Sequence, residues 1–217
     1  MKSLLENKFQ LSLFLLIAVH IVGTITILLG YTDSLMHLTP YNLLFCSALL
    51  VYNAEKPDAS YVLWFLICAV GGFLLEAIGT ATGLIFGSYI YGNGMGIRVL
   101  SVPLMIGLSW SVLVFSTSAI LLPYGLHWVL RSIIGALLMV GYDILLEPVA
   151  MRFDFWDWEG GVIPLQNYVA WFVIGLMMQL GVNWFVKPLK NRMALYIFII
   201  QALFFALLIY TEKLKVF

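Results

Sequence analysis

Glu76-Ala77-Ile78-Gly79-Thr80-Ala81-Thr82-Gly83 closes one apolar run of this chain and leads into Phe86-Gly87-Ser88-Tyr89-Ile90-Tyr91-Gly92. Asp143-Ile144-Leu145-Leu146-Glu147-Pro148 closes another and leads into Trp156-Asp157-Trp158. In both places an acid is followed thirteen residues later by an aromatic pair, Tyr89 and Tyr91 after Glu76, Trp156 and Trp158 after Asp143. Val102-Pro103-Leu104 and Trp110 follow in the first stretch, Ile163-Pro164-Leu165 and Trp171 in the second, each proline seven residues before its tryptophan. The spacing from aromatic pair to proline differs, twelve residues against six. The shared order reads as one unit used twice, over residues 61–122 and 128–186, as in membrane folds built from internal repeats with their sites at the repeat interface.

Outward from these stretches the chain is too apolar for a soluble domain. Of its 217 residues 63% are hydrophobic and 10% charged, where soluble domains carry about a quarter charged residues. The fold class is therefore an all-α, polytopic membrane helical bundle, a single integral membrane domain over residues 1–217 and multi-pass in the cell membrane. A bilayer span needs about twenty apolar residues. Candidate spans cover residues 9–30, 61–78, 103–122, 128–146, 168–186 and 193–210. A further apolar run, 41–52, reaches full length only by including His37, Thr39 and Pro40, so it is a short second span or a re-entrant segment. Helices 3–4 and 5–6 of these seven form the two repeats. Pro148 is expected to end the fifth helix beside Glu147. The acid-bearing ends of the third and fifth helices, and both aromatic connections, fall on one membrane face.

Several function classes lack their residues. A net charge of zero with no clustered basic face excludes a nucleic-acid partner. His20, His37 and His127 are scattered, without the paired spacing of a di-iron centre, so no metal site is expected. Gly92-x-Gly94-x-Gly96 runs into Ile97 and Arg98 rather than Gly-Lys-Ser/Thr, which makes it a flexible turn and not a phosphate loop. The last helix has no lysine before Lys213 to carry a retinal Schiff base. Cys46 and Cys68 sit inside apolar runs as small buried side chains.

The acids are the chemistry-bearing residues. An ionised carboxylate at the centre of a membrane helix costs about 2.5 to 3.5 kcal/mol even on insertion scales. Asp143 and Glu147, four apart, share one helical face. Interfacial acids bonded to backbone, Arg152 or tyrosines are the structural alternative, and the rings would then be an interfacial belt. Three acids on one face with two aromatic pairs point instead to a site. One carboxyl holds a proton and another accepts one, while π faces stabilise a cation without attacking it. Glu76, Asp143 and Glu147 are the candidate catalytic residues. Tyr89, Tyr91, Trp110, Trp156, Trp158, Asn167 and Trp171 are the candidate ligand-binding residues.

Over residues 76–171 these motifs resemble the family of carotenoid biosynthesis membrane proteins that includes the CruF-type carotenoid hydratases. The residues that carry the likeness are Glu76 to Gly83, Phe86-Gly87-x-Tyr89-x-Tyr91-Gly92, Val102-Pro103-Leu104 and Trp110, then Asp143-x-x-x-Glu147-Pro148-x-Ala150, Trp156-x-Trp158, Gly160-Gly161, Pro164, Asn167-Tyr168 and Trp171. Family members often have Asp where this chain has Glu147, and polar or charged residues where it has Ser88 and Ile90. The resemblance implies a cofactor-independent hydro-lyase that hydrates the terminal double bond of a linear, ψ-end carotenoid to a tertiary alcohol. Its partners are the lipid bilayer and the carotenoid polyene, which enters sideways from the lipid. Asp143 or Glu76 is expected to donate the proton, Glu147 or another of the three to activate water, and Asn167 to position that water. A carotenoid end-group cyclase begins with the same protonation, and a transporter or scaffold with intramembrane carboxylates is the alternative outside enzymology.

Overall fold

The structure, a computed structural model, describes residues 2–31, 37–187 and 189–214. Among the described residues seven α-helices follow one another: α1 (Lys2–Leu28), α2 (Thr39–Tyr52), α3 (Ala59–Thr82), α4 (Leu104–Leu121), α5 (Trp128–Arg152), α6 (Leu165–Phe185) and α7 (Arg192–Leu214). Six are long and apolar enough to cross a membrane, and α2 is the short one. The chain is a multi-pass membrane helical bundle. The second apolar run therefore makes only a 14-residue helix, with Pro40 in its first turn, where a missing N–H costs nothing.

Local chemistry sets the ends of the helices that frame the site. Asp58 caps α3 by accepting a hydrogen bond from the Tyr61 amide at 2.9 Å. Gly83 closes the same helix in the left-handed region, φ +68°, its amide donating to the Gly79 carbonyl. Pro103 and Pro164, the two prolines of the repeated motif, stand in extended conformation immediately before α4 and α6. The expected stop at Pro148 does not occur. The proline lies inside α5, which runs one more turn to Arg152. So near the helix end one lost donor is tolerable, and burial of Val149 and Ala150 and the Phe153 amide bond to the Val149 carbonyl hold that turn. Arg152 then donates to the Leu208 carbonyl of α7 at 3.0 Å.

Helix α4 is the hub. In its most apolar stretch 72% of residues are buried, against 22–33% in the other long helices. It packs on α3, α5, α6, α7 and α2, while α1 packs chiefly on α7. Hydroxyls and amides join α4, α5 and α6 where hydrophobicity gives no driving force in lipid. Gln179 donates to Thr117 and the Val114 carbonyl and accepts from Ser118, and Asn183 bridges to Ser132 and Arg131.

Among the described residues four short strands add to the all-α bundle. Strand β1 (Tyr89–Tyr91) pairs antiparallel with β4 (Trp156–Trp158), in the register Tyr89 to Trp158 and Tyr91 to Trp156. β2 (Arg98–Val99) and β3 (Val102–Pro103) make a hairpin before α4. The Gly92 amide donates to the Phe155 carbonyl and the Glu159 amide to the Ser88 carbonyl, extending the β1–β4 ladder. Only glycine fits at position 92, because a Cβ there would lie 1.9 Å from the Asp154 carbonyl oxygen. The expected flexible turn thus begins as the end of a strand pair.

Candidate active site

The ribbon has two faces because side chains alternate along a strand. Tyr89, Tyr91, Trp156 and Trp158 point inward and are 5–9% exposed, whereas Ile90 between them is 72% exposed. Such burial is unlike an interfacial belt, whose rings sit among headgroups. Beneath this inner face stand the carboxyls. Glu147, near the end of α5 and just before Pro148, accepts on Oε2 from Trp156 Nε1 at 2.9 Å and Trp158 Nε1 at 2.7 Å. Its Oε1 accepts from Asn167 Nδ2 at 3.1 Å. Glu76 accepts on Oε1 from Trp110 Nε1 at 3.0 Å and shares Oε2 with the Tyr89 and Tyr91 hydroxyls, the latter at 2.9 Å. Asp143, fully buried one turn below Glu147, accepts on Oδ2 from the same Asn167 nitrogen at 2.8 Å. Its Oδ1 has no hydrogen-bond partner among the described residues.

Donor chemistry separates the two glutamates. Indole and amide N–H groups can only donate, so Glu147 is an acceptor on both oxygens. Glu76 meets one such donor, at Oε1, and phenol hydroxyls, which donate or accept, at Oε2. A proton on Glu76 fits that oxygen without displacing a neighbour. The two phenols stay protonated, because burial holds them well above the usual tyrosine range. None of the acids pairs with Arg152; among the described residues the one ion pair joins Arg192 to Glu6. No group of three or more His, Cys, Asp or Glu side chains is placed to hold a metal among the described residues.

Trp110 and Trp171 stack face to face, centroids 4.2 Å apart and planes 20° from parallel. They floor a cavity of about 590 Å³, within the usual size of a small-molecule pocket. Glu76, Glu147 and Asn167 reach its wall at one end, together with all four ribbon rings. The cavity wall includes Tyr142 but not Asp143, so Asp143 acts on the cavity only through Asn167 and Glu147. Every candidate residue read from the sequence lines this cavity except Asp143, which stands behind it on Asn167. Missed were the contributions of α1, α2 and α7, among them His20 and Gln201, since a lone polar residue in an apolar helix carries no pattern.

The family model described as carotenoid biosynthesis protein matches residues 38–215. The chain belongs to this carotenoid biosynthesis family. Membership covers α2 through α7 and all four strands, and leaves α1 outside the match. It carries a role in carotenoid biosynthesis and agrees with the apolar cavity. No curated protein and no solved structure matches the chain.

Proposed function

We propose that this protein adds water across the terminal alkene of a linear carotenoid, and that the observation carrying this reading is the pair of glutamates facing one apolar, ring-lined cavity, Glu76 among reversible hydroxyls and Glu147 among N–H donors. Glu76 supplies a proton from Oε2 to the less substituted alkene carbon. The π bond breaks as the new C–H bond forms, leaving a tertiary cation. Trp156, Trp158, Tyr89 and Tyr91 face that charge with their rings, and the Glu147 carboxylate lies against it. Asn167 spends its amide N–H groups on Asp143 and Glu147, which leaves its carbonyl oxygen to hold one hydrogen of the attacking water. The water oxygen bonds to the cation as Glu147 takes the released proton. The product is a tertiary alcohol, and the cycle closes when that proton returns through cavity water to Glu76. No redox change occurs.

In this reading the site lies at the interface of two repeated units, 61–122 and 128–186, within one membrane domain. The antiparallel pairing of Tyr89 with Trp158 and Tyr91 with Trp156, and the stack of Trp110 on Trp171, are what a two-fold relation between the units generates. Bonding partners make Glu147, rather than Asp143, the counterpart of Glu76. The polyene reaches the site sideways between α1 and α2, which line the cavity while their Val22 and Tyr41 are exposed to lipid.

Pigment analysis of a lycopene-producing host with and without the gene tests the reaction. A more polar pigment heavier by one water is the expected result. A product isomeric with lycopene would instead assign a cyclase, in which a second alkene captures the cation before water does.

A further inference from the structure

The two ends of the bundle differ in charge, and side-chain contacts fix which connections share an end. Asn53, just past α2, donates to Ser12 of α1 at 2.9 Å, and the Lys8 ammonium lies 4.0 Å over the Tyr52 ring. The Glu55 amide donates to the Lys190 carbonyl at 3.1 Å, Trp64 of α3 stacks on Phe185 of α6, and Arg131 of α5 donates to Asn183 of α6 at 2.7 Å. The start of α1 therefore lies at one end with the α2–α3, α4–α5 and α6–α7 connections. At the other end Gly96, beyond β1, approaches Pro40 so closely that a Cβ would lie 2.8 Å from its Cγ. Helix α2 thus runs from the ribbon end to the opposite one, although its 14 residues extend only about 21 Å. The seven helices alternate in direction, and the acid-bearing ends of α3 and α5 share the ribbon end.

Basic residues divide unequally between these ends. Lys8, Lys56, Arg131, Lys187, Lys190 and Arg192 stand at the end away from the ribbon, where Glu6 is paired with Arg192 at 3.0 Å and Asp58 is engaged in capping α3, leaving Glu55. The ribbon end has Arg98 and Arg152 beside the exposed acids Asp154, Asp157 and Glu159. Arg98 donates to the Gly92 carbonyl and to Asn93, and Arg152 to the Leu208 carbonyl, so both are held by the protein itself. Lys2 and Lys213, in the outermost turns of α1 and α7, add one base to each end. Lysine and arginine near helix ends collect on the cytoplasmic side, whose anionic headgroups attract them, and acids weigh little in that balance. We propose that the basic end docks on the anionic headgroups of the cytoplasmic leaflet, so that Glu76, Glu147 and the aromatic ribbon work at the extracytoplasmic interface. One consequence rests on the hydration reading: the tertiary hydroxyl is delivered among the extracytoplasmic headgroups, where any later reaction on it begins.

Labelling of intact host cells with a membrane-impermeant maleimide tests the orientation. Cys46 and Cys68 are buried, so the natural chain should stay unlabelled. Asp157 and Glu159 are exposed at the ribbon end, Lys187 and Lys190 at the other. Asp157→Cys and Glu159→Cys should label in intact cells as fully as in permeabilised ones. Lys187→Cys and Lys190→Cys should be unlabelled in intact cells and gain label on permeabilisation. The reverse pattern, or equal labelling of both ends in intact cells, would overturn the proposal. So would a failure of both pairs to label after permeabilisation, since these positions would then not form the two surfaces. Pigment chemistry plays no part in this readout, so a wrong orientation and a wrong reaction are told apart: the lycopene assay answers only the second.

Discussion

At the scale of single residues, the division between the two glutamates is the point most open to test. Glu147→Gln keeps the size and one acceptor oxygen but removes the base, and product yield should fall about 10²- to 10⁴-fold, the usual worth of general acid–base catalysis. Glu76→Gln should do the same, with helix content unchanged by circular dichroism in both. Asp143→Asn should retain measurable turnover, since Asp143 meets the cavity only through Asn167; a yield as low as that of the glutamate variants would restore it as the proton donor. The buried phenols give a second measurement. Tyr89 and Tyr91 should remain un-ionised when ordinary tyrosines titrate near pH 10, readable by ultraviolet absorbance. Above that pH the unfolded chain releases protons that the folded chain keeps, so stability falls as pH rises. The acids were legible in the sequence because a charge in an apolar run needs a reason. Their ranking was not. The offset of thirteen matched Asp143 to Glu76, whereas both ribbon tryptophans of the second stretch donate to Glu147.

Among the elements, the ribbon of β1 and β4 decides where the aromatic rings go. Its register is fixed by Gly92, whose close approach to the Asp154 backbone admits no side chain. Gly92→Ala should destabilise the protein by about 2–3 kcal/mol, seen as a lowered midpoint of thermal unfolding in detergent, and should lower product yield in parallel. A variant of unchanged midpoint and yield would mean that the ribbon shifts without consequence. Each aromatic pair was visible in the sequence as an alternation, but that the two pairs face one another was not. Strand pairing between distant segments leaves no local signature when each strand is three residues long. The helices were the most legible elements, since apolar length alone marks a span. The proline at position 148 misled because local propensity was outweighed by burial of the turn beyond it.

For the whole molecule, the proposed reading puts the chemistry beside the buried helix α4 and access at the more exposed helix α1. Helix α4, its hydroxyls tied to Gln179, holds the acid-bearing helices in place, while α1 closes the cavity from outside. Gly23 of α1 lines that cavity, and Gly23→Phe should fill it. Polyene binding and product yield should drop at least about tenfold, the cost of overfilling a shaped pocket by one ring, while the thermal midpoint stays near that of the natural chain. Retained binding would place the substrate elsewhere.

α1 attaches chiefly to α7, so in the proposed reading the part of the cavity wall that α1 supplies is separable from the part that carries Glu76 and Glu147. A chain could exchange its first helix for another and acquire a different polyene preference without disturbing a single donor to Glu76 or Glu147. Under that proposal substrate range is inherited as a module, carried by the helix whose replacement leaves the packing around α4 intact.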